Sequence, residues 1–143
     1  MSVPNTTPRE QFNRAYELAY RVGSKIKKPR KPSCELWELA AGRGHVSSMF
    51  YLGTCYDLGY GIKKDLKMAF KWYMKAAMLG YRDSQYNVSF FYSSGELFRK
   101  NYVKKFYWYQ MAAKKGLADA QRDLGYSYFY GEGVKKDFVK AVY

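Results

Sequence analysis

The chain has 143 residues and is strongly basic, with 25 lysines and arginines against 12 acids for a net charge of +13. Apolar residues make up 48% and aromatic residues 20%, ample material for a buried core, and no apolar run approaches the ~18 residues of a membrane span. No stretch from Met1 to Phe12 resembles a signal peptide and the two cysteines, Cys34 and Cys55, follow no repeated spacing, so a cytoplasmic chain with two buried thiols is expected.

A unit of 36 residues recurs along the chain, the signature of a repeat array. Residues 1–10 read as an N-terminal tail, followed by a degenerate copy over about 11–46 that keeps Tyr20, Gly23, Ile26, Lys27, Lys28, Trp37, Ala40, Ala41 and Gly44. Pro29 and Pro32 occupy the start of its second helix, which is therefore expected to begin late with Ser33 as its cap.

The second copy, 47–82, is the clearest. Met49, Leu52, Gly53 and Tyr56 fall at i, i+3, i+4 and i+7, and Ala69, Trp72, Tyr73, Ala76 and Ala77 repeat that spacing with one more step. Two amphipathic helices of about three turns are predicted, separated by the turn Gly59 to Asp65. Ser47 stands where the first helix should begin and Asp65 where the second should begin; Gly59 and Gly80 stop them, at positive φ. Gly53 and Ala76 are expected to let the two backbones approach, with Trp72 filling the wider gap.

The third copy, 83–118, repeats these positions with Asp83 and Asn101 as caps, Val88, Tyr92, Gly95, Trp108, Tyr109, Ala112, Ala113 and Gly116. It departs at Ser89, Leu97 and Lys105, where the second copy has Gly53, Gly61 and Ala69, so a distorted or wider turn is expected between Gly95 and Asn101. The fourth copy, 119–143, carries Asp119, Leu124, Gly125, Tyr128, Gly131, Gly133, Val134, Lys135, Lys136, Asp137 and Ala141. Tyr143 falls one residue before the place of the next tryptophan, which points to a fragment of a longer array or to an end covered by a partner.

The pattern L-G-x-x-Y-x-x-G-x-G-[VI]-K-K-D, followed by W-Y-x-K-A-A and a closing glycine, resembles the Sel1-like repeat, a relative of the tetratricopeptide repeat. The resemblance covers about Gln11 to Tyr143 and implies an all-α, right-handed solenoid of stacked antiparallel helix pairs, about three and a half repeats long. It also implies that the first helices line a concave side, and that His45, the single histidine, is a structural residue of an inter-repeat turn.

Chemistry is mostly excluded. One histidine, two scattered cysteines and dispersed acids assemble no metal site, and Asp65, Asn101 and Asp137 are assigned to helix caps, which leaves few candidates for paired-carboxylate catalysis. The G-x-G segments recur as turns after a helix and lack the G-K-[ST] ending of a phosphate loop. Neither enzymatic activity nor a cofactor is expected.

Two surfaces remain. Off-pattern positions on the first helices, Phe50, Thr54 and Asp57, then Tyr86, Phe90 and Ser93, then Arg122, Tyr126 and Phe129, would form the floor of an aromatic groove, and tyrosine and arginine there are the types that anchor interfaces. Lys27, Lys28, Lys63, Lys64, Arg99, Lys100, Lys135 and Lys136 occupy the same two turn positions in four copies, a basic edge. The sequence therefore predicts a scaffold or adaptor that binds another protein, an acidic one being favoured by the charge. The alternative is a nucleic-acid-associated accessory protein using the basic edge.

Overall fold

A computed structural model of the protein describes residues 5–20 and 31–142. Among these residues there are eight helices and no strand: α1 (Pro8–Tyr20), α2 (Lys31–Gly42), α3 (Val46–Leu58), α4 (Leu66–Met78), α5 (Arg82–Ser94), α6 (Tyr102–Lys114), α7 (Ala118–Tyr130) and α8 (Phe138–Ala141). The chain divides into two compact units, one through Ala76 and one from Ala77. The first-copy turn with Gly23, Lys27, Lys28 and Pro29 lies outside the described residues.

The same backbone device shapes successive copies. The N–H groups of Asp65, Asn101 and Asp137 donate to the carbonyls of Tyr56, Tyr92 and Tyr128 at 2.9, 2.8 and 2.9 Å, tying the start of each second helix to the last turn of the first. Gly59, Gly95 and Gly131 end α3, α5 and α7 with φ of 68°, 75° and 73°, the left-handed conformation that glycine adopts without a Cβ clash. Asp65, Asn101 and Asp137 cap the following helices as expected, their Oδ1 atoms accepting from Met68, Lys104 and both Val139 and Lys140. In the third copy the clamp survives the loss of glycine at Leu97, and Phe98 stacks on Tyr92 with ring centroids 5.7 Å apart.

Other expectations are corrected. Ser47, Asp83 and Asp119 are not caps; they lie one residue inside the first helical position, behind His45, Tyr81 and Leu117. Asp83 and Asp119 still sit in a first turn, where a carboxylate favours the helix dipole. Ser33 is likewise no cap: α2 already begins at Lys31, Pro32 fits in its first turn, and Ser33 is fully buried.

The aromatic core is also displaced by one residue. Tyr73 and Tyr109 are buried to 1% exposure and Trp37, one period before Tyr73, to 0%, whereas Trp72 and Trp108 remain half-buried. Gly53 makes room for a ring rather than a backbone, since a Cβ there would lie 2.7 Å from the Tyr73 ring. Finally, Cys34 on α2 and Cys55 on α3 are a disulfide, not two thiols, with Cα atoms 6.3 Å apart. Packing of α2 on α3 brings together two positions that the period does not relate.

Candidate functional site

In the first unit, the off-pattern residues of α3 gather around one buried phenol. Tyr73 of α4 donates toward Thr54 Oγ1 at 3.2 Å and Asp57 Oδ2 at 3.3 Å, and the Thr54 hydroxyl donates to the Phe50 carbonyl at 3.1 Å. The Phe50 ring lies 5.9 Å from that of Tyr73. Phe50, Thr54 and Asp57 are each half-buried, so much of this column serves packing within the unit.

In the second unit, the Tyr86 hydroxyl donates to Asp123 at 2.7 Å. Burial, and then this carboxylate, push the Tyr86 phenol well above its usual range. Arg122 is shared between Asp119 at 3.3 Å and Asp123 at 3.6 Å, so its guanidinium already has carboxylate partners on its own helix. Phe90 meets Tyr86 edge-on at 4.7 Å and is 47% exposed, as are Tyr126 at 57% and Phe129 at 50%. A cleft of about 590 Å³ opens beside α7, bordered by Arg122, Gly125, Tyr126, Phe129, Tyr130 and Val142. This unit therefore links Tyr86 and Arg122 through Asp123, sets Phe90 against the Tyr86 ring, and places Tyr126 and Phe129 on the wall of one cleft.

Sequence reasoning missed two features. In the first unit Tyr51 meets Phe12, Tyr16 and Trp37 with ring centroids 5.4, 5.7 and 4.9 Å away. The available signal was the four-residue spacing of Phe12, Tyr16 and Tyr20 on one helix face, obscured by the degenerate first copy. The second feature is a pair of glutamines one period apart: the Gln85 and Gln121 side-chain amides donate to the carbonyls of Ala77 and Ala113 at 3.1 and 3.2 Å. Each adds a side-chain donor to a carbonyl at the end of a second helix that already accepts from the Gly80 or Gly116 N–H.

The six basic-edge residues within the described regions, Lys63, Lys64, Arg99, Lys100, Lys135 and Lys136, are exposed. A Cβ at Gly59, Gly95 or Gly131 would meet the stem of Lys64, Lys100 or Lys136 respectively, so the second cation of each pair covers a helix-ending glycine. Lys27 and Lys28 lie outside the described residues. His45 caps α3: its Nδ1 accepts from the Ser48 N–H at 3.3 Å and lies 2.8 Å from the Ser48 hydroxyl. Among the described residues no group of three histidine, cysteine or acidic side chains could hold a metal ion, and no helix is long and apolar enough to cross a membrane.

The Sel1 repeat family model matches four successive segments, 11–45, 46–81, 82–117 and 118–143. No curated protein matches the chain. A Sel1 repeat protein from Oxalobacter formigenes is 32% identical with a TM-score of 0.83, over 95% of this chain and 55% of its own. The antigen c5321 of uropathogenic Escherichia coli, described as protective and as displaying an SLR fold, is 29% identical with a TM-score of 0.83, over 94% of this chain and 28% of its own. The chain thus spans about half the length of the first and under a third of the second. Helicobacter pylori cysteine rich protein B is similar in fold, at 22% identity and a TM-score of 0.61 over 81% of this chain and 96% of its own.

Proposed function

The chain belongs to the Sel1 repeat family, and on that premise we propose that it is a protein-interaction scaffold that binds a partner segment on the aromatic face of its first helices. Repeats of this family are typically non-catalytic interaction modules, which supports a binding role over an enzymatic one. The observation that carries the reading is the exposure of Phe90, Tyr126 and Phe129, each about half open to solvent on helices whose core positions Val88, Ala120 and Ser127 are buried. Rings held on rigid helices lose little entropy on binding, which suits them as anchors.

The test is a double substitution, Phe90→Ala with Tyr126→Ala. We expect crosslinked partner capture to be lost while helical content and the unfolding midpoint stay near wild type. A collapse of stability by about 3–5 kcal/mol would assign the rings to the core instead, and unchanged capture by the folded variant would remove the groove reading.

A second reading, nucleic-acid association through the basic edge, is favoured by one observation: among the described residues, the six exposed edge cations take part in no ion pair. Retention on DNA or RNA that falls steeply between low and moderate salt would support it; no retention even at low salt would remove it.

On location, the Cys34–Cys55 disulfide supports an oxidising setting over the cytoplasm expected from the sequence. Blocking and counting free thiols at the moment of cell lysis distinguishes the two, since a cytoplasmic protein would carry both cysteines reduced.

A further inference from the structure

The helix α4 (Leu66–Met78) carries Lys67, Lys71 and Lys75 at four-residue spacing and no acid. That spacing puts the three on one side of the helix, about 6 Å apart along its axis, and all three are exposed. Lys63 and Lys64 of the preceding turn continue the row. Residues 58–77 thus hold five exposed lysines against one acid, Asp65, whose Oδ1 accepts from the Met68 N–H. Among the described residues none of the five lysines takes part in an ion pair. Lys75 is set over the Trp72 ring, its Nζ 4.8 Å from the centroid, which fixes one end of the row.

The repeat does not prescribe this ridge. One period earlier its three helical positions are Lys31, Glu35 and Leu39, and one period later Val103, Tyr107 and Met111. It also works against the helix that carries it: like charges four residues apart repel, and Lys67 in the first turn opposes the helix dipole.

We propose that the α4 ridge is a binding track for the phosphate backbone of a nucleic-acid duplex, held without regard to base sequence. The inference rests on the nucleic-acid reading of the basic edge and moves its centre from the turn cations to α4. Interfaces with proteins are depleted of lysine and anchored by aromatic and other apolar side chains, and none of the large apolar side chains between Gly59 and Ala77 is exposed. Interfaces with nucleic acid are polar and strongly positive, and lysine holds a phosphate as a point charge. A single strand would call for exposed rings on which bases stack, which the same stretch lacks, so the duplex is favoured. Successive lysines of the ridge lie within one Debye length, about 8–10 Å, and act on a row of phosphates as one field.

The experiment is binding of a short random-sequence duplex to the chain, followed by fluorescence anisotropy between about 50 and 200 mM salt. Each lysine on a phosphate contributes about one to the slope of log affinity against log salt. Lys67→Gln with Lys71→Gln and Lys75→Gln should therefore lower that slope by about 3 and weaken low-salt binding about tenfold or more, with helical content unchanged. Lys67→Arg with Lys71→Arg and Lys75→Arg, which keeps the charges, should bind like the wild type. A glutamine variant with the wild-type slope overturns the proposal, as does tighter binding of a single strand or of polyglutamate than of the duplex. If duplex binding survives the glutamine substitutions but is lost with Arg99→Gln, Lys100→Gln, Lys135→Gln and Lys136→Gln, the ridge fails and the basic edge stands. No binding of the duplex even at low salt removes both.

Discussion

His45 shows how one side chain can be scaffold and still titrate. Burial, and then the nearby Arg9 charge, lower its pKa below the ordinary value of 6.5, and the neutral ring is the form whose Nδ1 can accept from the Ser48 N–H. A folded-state pKa below the unfolded one means that the cap's contribution is fully present above pH 6.5 and is lost as pH falls through the folded value. The unfolding midpoint should therefore decline on acidification below pH 6.5, and His45→Asn, which keeps an accepting oxygen, should flatten that part of the profile. An unchanged slope in the variant would show that other groups carry the acid sensitivity. Two glycines give a second residue-scale contrast. Gly116 has φ of 86° with nothing within 4 Å of a built Cβ, while at Gly133, φ 71°, a Cβ would lie 2.1 Å from the Tyr102 carbonyl oxygen. Gly116→Ala should cost about 1–2 kcal/mol of backbone strain alone, and Gly133→Ala about 3 kcal/mol or more, because a backbone carbonyl cannot swing aside. Denaturant unfolding measures both. The sequence marked both as turn glycines, but the identical pattern letter hides which one faces a neighbouring helix.

Between elements, the bond with the largest expected effect is the one that no column of the repeat announced. The disulfide joins α2 to α3 across 21 residues, a loop whose closure is worth about 3 kcal/mol. Cys34→Ala with Cys55→Ala should lower stability by about that amount, and a reductant should lower the wild type similarly while leaving the variant unmoved. Reductant indifference in the wild type would show that the bridge is not formed in solution. Second-helix starts were legible because Asp65, Asn101 and Asp137 each bond a following N–H with their own side chains. First-helix starts were misplaced because no side chain marks them consistently: Tyr81 and Leu117 sit at the cap with no side-chain bond. Helix spacing likewise could not decide between Trp72 and Tyr73, adjacent rings of which only Tyr73 is fully buried. The candidate groove was legible as a set of columns, but not the partners that its members already have, Thr54 and Asp57 around Tyr73 and Arg122 between two carboxylates.

For the molecule as a whole, the period read from sequence carried most of the fold, because the second, third and fourth copies each repeat the same stop, turn and start. The charge acts at the same scale. With +13 on 143 residues, self-repulsion opposes the compact state, so the unfolding midpoint should rise between low and moderate salt. A midpoint that falls instead would mean that specific pairs such as Arg122 with Asp119 and Asp123 outweigh the net field. The recurrent clamp from Tyr56, Tyr92 and Tyr128 carbonyls to the N–H groups of Asp65, Asn101 and Asp137 has a further consequence. It is written in the main chain, so, away from its positive-φ glycines and the crowded Gly133, the side chains it encloses answer to no closure requirement of their own. Leu97 and Phe98 already occupy one such turn in place of glycine and its neighbour without breaking the bond. The third-copy turn is therefore a slot in which a copy acquires an individual identity, and new recognition could be grafted there while the helices on either side keep their register, whereas Gly133 of the fourth copy stands against the Tyr102 carbonyl.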